Sequence, residues 1–319
     1  MKPIKKHQLS IAVGIRLIFA FLLSIPFISC NNDEDMVPED AGISIENMEI
    51  GSGNNGRGII GRDFHLDMDV TALNKIDHIQ VLISPRSGET YSKEWAHEIT
   101  WIEYKGAKNT NVHKHFTIPA DAPEGKFDFT VRVRDEKGMV VEQIHTIELV
   151  SAANLAVNPE VYSLMVEKVD HGFFYIMNRG LVDPEQNTFL KGEMLRSYVD
   201  IRNIKDDGIL YTVIVKKSAN HLPESVGNID FTKVIVVDVR EHKNLMEVGL
   251  FTNYLELPGN ATPLALEIGA SMDNHLPSPN QIQGNNSWEN GEYYYGVIYT
   301  NNTHNMSAYY YFPFTVAGF

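Results

Sequence analysis

From residue 43 onward, apolar and polar residues alternate with a period of two, and Gly, Asn, Asp or Pro breaks the alternation at intervals of roughly ten residues. Side chains on a strand point to opposite faces in turn, so this pattern predicts half-buried strands and not helices, whose apolar positions recur every 3.6 residues. The clearest run is residues 127–135. There Phe127, Phe129, Val131 and Val133 fall on one face, and Asp128, Thr130, Arg132 and Arg134 fall on the other. The turns Pro123-Glu124-Gly125 and Glu136-Lys137-Gly138 bound it, with Gly where a positive φ is cheapest.

The same reading predicts strands at residues 43–49, 63–70, 77–84, 98–104, 112–118 and 139–150. Seven short strands at that spacing fit an immunoglobulin-like sandwich over residues 43–150. Residues 151–159 are small and polar and read as a linker. A second β-rich stretch, residues 160–319, follows. It echoes the first: Gly61-Arg62-Asp63-Phe64 is matched by Gly192-Glu193-Met194-Leu195, and Glu124-Gly125-Lys126-Phe127 by Asn290-Gly291-Glu292-Tyr293. Insertions at residues 217–228 and 253–286 are expected as surface loops, where binding specificity tends to sit. The predicted fold class is therefore all-β, two tandem immunoglobulin-like β-sandwich modules behind an export signal.

That signal occupies residues 1–29. Lys2, Lys5 and Lys6 precede an apolar run over residues 11–27, the layout of a secretory leader. A spanning helix needs about 20 predominantly apolar residues, and Arg16 and Pro26 interrupt this run. Phe27-Ile28-Ser29-Cys30 resembles the lipobox of bacterial lipoproteins, with Phe27 where that family usually has an aliphatic residue. The resemblance implies cleavage after Ser29 and lipid attachment at Cys30. The membrane partner would be reached through two signals' worth of acyl chain, as stable anchoring requires. Residues 30–42 read as an acidic disordered tether, opening with Asn31-Asn32-Asp33-Glu34-Asp35. Such a tract resembles the surface-display signal of lipoproteins of the Bacteroidota. The expected location is the outer membrane, lipid-anchored at the cell surface, with a periplasm-facing anchor as the alternative.

Cys30 is the single cysteine, so no intrachain disulfide can form and stability must come from buried apolar surface. Residues 1–29 hold four of the 27 basic residues and none of the 41 acidic ones, so their removal takes the formal charge from −14 to −18. An acidic body without a basic cluster argues against nucleic acid as a partner.

Several separate pieces of the first module, taken in order, resemble the domain-of-unknown-function family 4625 of Bacteroidota lipoproteins. They are Gly51-Ser52-Gly53-Asn54-Asn55, Asp63-Phe64-His65-Leu66, Lys108-Asn109, His113-Lys114-His115, Ile118-Pro119-Ala120 and Asp135-Glu136-Lys137-Gly138. The resemblance implies an immunoglobulin-like domain exposed outside the cytoplasm, and names no substrate.

Two constellations carry candidate chemistry. His113 and His115 lie two apart on a predicted strand and point the same way, and His65, Asp67 and Asp69 repeat that geometry on another. Imidazole and carboxylate donors suit zinc or copper as a cofactor. The same alternation would also place both sets on an ordinary solvated sheet face. Trp288, Tyr293, Tyr295 and Tyr299 form the second set, a platform on which sugar rings of an extracellular glycan could stack, although Tyr has high strand propensity and packs as well within a sheet. Asp206-Asp207-Gly208 lacks the spaced oxygen ligands of an EF-hand and reads as a turn. No Gly-x-Ser-x-Gly elbow, His-Glu-x-x-His helix, phosphate-cradling glycine loop or cysteine nucleophile is present. The expectation is a non-enzymatic surface lipoprotein whose modules bind a glycan or protein partner in ligand binding, adhesion or nutrient capture. The alternative is an envelope metal-binding protein that uses the strand histidines.

Overall fold

The computed structural model describes residues 42–254 and 262–319. The leader, Cys30, the acidic tract and part of the second insertion lie outside the described residues. Within them the protein is all-β, its only helical pieces being single 3₁₀ turns.

The first region holds β1 (Ile43–Ile50), β2 (Arg57–Ile59), β3 (Asp63–Ala72), β4 (Ile76–Pro85), β5 (His97–Trp101), β6 (Asn109–Thr117), β7 (Gly125–Asp135) and β8 (Val140–Val150). All seven predicted strands are present; β2, three residues long and without alternation, was not foreseen. The strands form two sheets, ordered β1-β3-β6 and β2-β8-β7-β4-β5. Phe64, Leu66, Met68 and Val70 of β3 face Phe127, Phe129, Val131 and Val133 of β7 in one apolar core. This is a sandwich whose two inner faces are the ones that the period-two pattern marks.

The second region holds β9 (Glu160–Lys168), β10 (Gly172–Ile176), β11 (Gly180–Leu181), β12 (Thr188–Leu190), β13 (Met194–Lys216), β14 (Val234–Thr252), β15 (Ala265–Glu267), β16 (Gly291–Asn301) and β17 (Met306–Ala317). They make a single nine-stranded sheet that runs β11-β10-β9-β13-β16-β17-β12, with β14 and β15 also paired to β13. β13 joins the two halves: its first part pairs with β9 and its last part, Gly208 to Lys216, with β16. Between them Asn203 and Asp206 adopt positive φ, and the ladder to β14 shifts register three times. Bulges of this kind bend a strand. Here they fold the sheet over, so Leu164, Val199 and Ile201 of one half share a core with Tyr295, Val297 and Phe312 of the other.

The two echoes seen in the sequence mark equivalent places. Gly61 and Gly192 each turn the chain, at φ +77° and +89°, just before β3 and β13. Gly125 and Gly291 each open a strand whose third residue, Phe127 or Tyr293, is buried.

That equivalence overturns the glycan platform. Tyr293, Tyr295 and Tyr299 are the inward face of β16, exposed by no more than 1%. Trp288 packs against the same core, and its indole N–H donates to the Ala270 carbonyl at 3.0 Å. Tyrosine pairs well with either face of a sheet, and here alternation carried these rings inward. Residues 217–228, expected as a surface loop, and the residues that follow to 233 are packed down in part. Val226, Ile229 and Phe231 lie across the back of the sheet on Tyr211, Val213 and Ile298.

Tyr295 donates its hydroxyl to Ser197 Oγ at 2.6 Å inside the core. Tyr295→Ala should therefore lower unfolding stability by about 3–5 kcal/mol. Tyr162→Ala, at a ring that is 52% exposed, should change it by under about 1 kcal/mol in the same urea titration.

Candidate metal centre

β3 and β6 pair antiparallel with His65 opposite His115 and Asp67 opposite His113. Directly opposed residues project to the same side of a sheet, so all three imidazoles leave the outer face of this pair. The sequence pattern left that face solvated, but the second region covers part of it. His65 is 5% exposed, whereas His113 and His115 keep contact with solvent.

The covering group is Glu224, which sequence reasoning missed. It lies on the β13–β14 connection and is itself 6% exposed. The packing of this connection on the back of the sheet holds it in place, and so do polar anchors on either side. Tyr311 donates to the Pro223 carbonyl at 2.6 Å, and the Val226 N–H donates to Thr300 Oγ1 at 2.9 Å.

Glu224 Oε1 lies 2.9 Å from His115 Nε2 and 3.9 Å from His113 Nε2, and Oε2 lies 3.2 Å from His65 Nδ1. The Nε2 atoms of His113 and His115 are 3.2 Å apart. One donor atom from each of His65, His113, His115 and Glu224 falls within 4.8 Å of every other. Both ring nitrogens of His65, although buried, lack a hydrogen bond; the contact to Glu224 is close but off line.

The other nitrogens of the two exposed rings face carboxylates. His115 Nδ1 is 2.6 Å from Asp63 Oδ2, and His113 Nδ1 is 3.4 Å from Asp67 Oδ2. Asp67 in turn accepts from Asn111 Nδ2 at 2.7 Å. Asp67, expected as a ligand, is thus a positioning group. It sits opposite His113 on the ring edge that points away from the cluster. Histidine backed by a carboxylate is the usual outer arrangement at a metal, because it fixes the ring and raises its basicity.

The charges agree with the geometry. The hydrogen bond to Glu224 is the main cause that lifts His115 to about 9, with Asp63 adding to it against desolvation. Asp67 likewise raises His113. Burial pushes the Glu224 carboxyl up, but contact with His115 and His65 outweighs it and holds the group at about 2. Burial and the nearby Glu224 charge both keep the phenols of Tyr309 and Tyr311 protonated.

Two clefts meet at the cluster, and His65 and Glu224 wall both. One, of about 420 Å³, also takes in Arg57, Asp63 and Tyr309; the other, of about 640 Å³, takes in Asp67, His113 and His221.

Fold and site together define an all-β protein that carries a histidine–carboxylate cluster where its two β regions meet. Residues 28–150 match the family model described as Domain of unknown function (DUF4625), so the family resemblance holds for the first region. Among solved structures, the crystal structure of dimeric latent PorU from Porphyromonas gingivalis is 12% identical, with 89% of this chain and 21% of that chain covered and a TM-score of 0.30. Escherichia coli alpha-2-macroglobulin activated by porcine elastase is 8% identical, with 88% and 22% covered and a TM-score of 0.23. This chain spans about a fifth of either length, and likenesses of this size carry no functional argument. No curated protein matches the sequence.

The shifted groups define a pH window for the metal-free protein. His115 is raised from 6.5 to about 9, so its contribution to stability is full below pH 6.5 and is lost as pH rises through about 9. Glu224 is lowered from 4.5 to about 2, so its contribution is present above pH 4.5 and is lost as pH falls through about 2. Calorimetry of chelator-treated protein should find the gap in Tm between wild type and His115→Gln widest between those limits of 4.5 and 6.5. The gap should shrink progressively as the pH approaches 9.

Proposed function

We propose that this chain is a non-enzymatic envelope protein that binds one divalent transition metal, of the zinc or copper class, at the junction of its two β regions. The observation that carries this reading is the convergence of His65, His113, His115 and Glu224, with a buried His65 whose two nitrogens have no hydrogen bond. Ligand bonds of about 2.0–2.1 Å place neighbouring donors of a tetrahedral zinc roughly 3.3 Å apart. Three donor contacts, of 2.9 Å, 3.2 Å and 3.2 Å, fall close to that spacing; His113 to Glu224 is longer at 3.9 Å, and all donors lie within 4.8 Å of one another.

Three nitrogens and one oxygen favour zinc or copper over calcium and magnesium, which prefer all-oxygen shells. Four protein donors also fill a tetrahedral shell and leave no position for a reacting water, which supports a holding role over hydrolysis. The clefts give an ion its path from solvent. A diacylated Cys30, with the acidic tract as spacer, would hold the site at a membrane surface. An adhesive role through stacked sugars loses its support once the tyrosines of β16 are in the core.

Metal-stripped protein titrated with zinc chloride, followed by calorimetry and by elemental analysis, should bind one ion per chain. His113→Ala/His115→Ala should abolish that binding, and Asp63→Asn or Asp67→Asn should weaken it about 10- to 100-fold. Wild type and double variant that both remain metal-free would refute the assignment. For the anchor, Cys30→Ala should move the cleaved protein from the membrane fraction to the soluble fraction.

A further inference from the structure

The two β regions do not share a core. Among the described residues, one apolar cluster draws only on residues 43–149, and the other two draw only on the second region. Among the described residues, what crosses between them besides the Glu224–histidine ion pairs is a few hydrogen bonds. Asn55 Nδ2 donates to the Asn305 carbonyl at 3.1 Å, and Asn228 donates to Glu49. Arg62 Nη1 donates to Asn158 of the connecting stretch at 2.6 Å. One partner in each of these contacts, Asn305, Asn228 or Arg62, is exposed, and contacts of that kind hold weakly in water.

The same junction concentrates buried polar atoms that lack a hydrogen bond. Of the eight buried side-chain atoms without a hydrogen bond among the described residues, six lie here: Glu49 Oε1, Ser52 Oγ, Arg57 Nε, Ser225 Oγ and both nitrogens of His65. Apart from the ion pairs of Glu224 with His115 and His65, such an interface has little to fix it, since buried polar groups stabilise only when they are partnered.

Against that background the ligand set divides unevenly. All three imidazoles come from the β3–β6 pair, and the single carboxylate comes from the second region. We infer that the metal is a clasp, tying residues 220–228 of the second region to the β3–β6 face, so that its occupancy sets whether the two regions are held in one fixed relation. This rests on the metal reading above and adds to it a role for Glu224 that metal binding alone does not require. Three imidazoles on one sheet can hold zinc without help; only Glu224 can pass that hold to the second region.

Hydrogen exchange of the purified protein, metal-free and loaded with zinc chloride, separates the two ideas when bound zinc is measured in the same samples. In wild type, zinc should slow amide exchange in residues 220–228 and 51–55 at least about tenfold, because local opening must now break a metal bond. Glu224→Gln should still bind zinc through the histidines, more weakly, and zinc should no longer slow exchange in those segments. Slow exchange at Val131 and Val297, buried in the two cores, shows that the variant is folded; if it is not, Glu224→Asp, which keeps a shorter carboxylate, replaces it and should recover only part of the zinc effect. Zinc that binds wild type without slowing exchange at the junction overturns the clasp and leaves the metal site standing. Equal slowing in wild type and Glu224→Gln also overturns it. A wild type that binds no zinc removes both.

Discussion

The antiparallel register between β3 and β6 is the constraint on which the site depends. With His65 opposite His115 and Asp67 opposite His113, the three imidazoles emerge on one side while Phe64, Leu66 and Met68 of β3 and Val112 of β6 fill the core on the other. The side-chain period of a strand is two, so a slip by one residue would exchange the faces completely. Each large apolar side chain contributes roughly 1.5–3 kcal/mol when buried. Several such side chains on these strands therefore oppose any slip together. Core packing on one side of the pair places the donors on the other, and no separate device is needed to bring the histidines together.

The fourth donor reaches the cluster by a different route. The connection between β13 and β14 is held down by Val226, Ile229 and Phe231 on the back of the second sheet, and that packing delivers Glu224 to the junction. A carboxylate this buried would ordinarily be pushed toward its neutral form. Here the adjoining histidines reverse the direction and keep it ionised. Burial of Glu224 and convergence of the imidazoles are thus one arrangement, each making the other affordable.

Much of this was legible from residue patterns, and what was not has a common cause. Alternation located the seven longer strands of the first region and the shared face of His113 and His115, because both are properties of consecutive residues. It could not distinguish a solvated face from one covered by distant chain, so His65 read as wet and is buried. Glu224 carries no local signal; its role exists only because two regions meet. The tyrosines of β16 are the reverse case. The echo between Glu124-Gly125-Lys126-Phe127 and Asn290-Gly291-Glu292-Tyr293 already aligned Tyr293, Tyr295 and Tyr299 with the buried positions of β7. Alternation requires some rings of such a cluster to face inward, and here those three do.

The outer carboxylates suit the junction both with and without the proposed ion. In the metal-free protein, Asp67 raises His113, while Glu224 and Asp63 raise His115 to about 9, so a protonated His115 offsets part of the local negative charge. A bound ion requires those rings neutral at Nε2, and the same Asp63 and Asp67 would then accept from Nδ1–H and strengthen each ring as a ligand. The surrounding carboxylates need no rearrangement between the two states. What differs is the nature of the link to Glu224: ion pairs in one state, directed coordinate bonds in the other. A polar junction between two separate cores is a place where that difference can decide how firmly the two regions are joined.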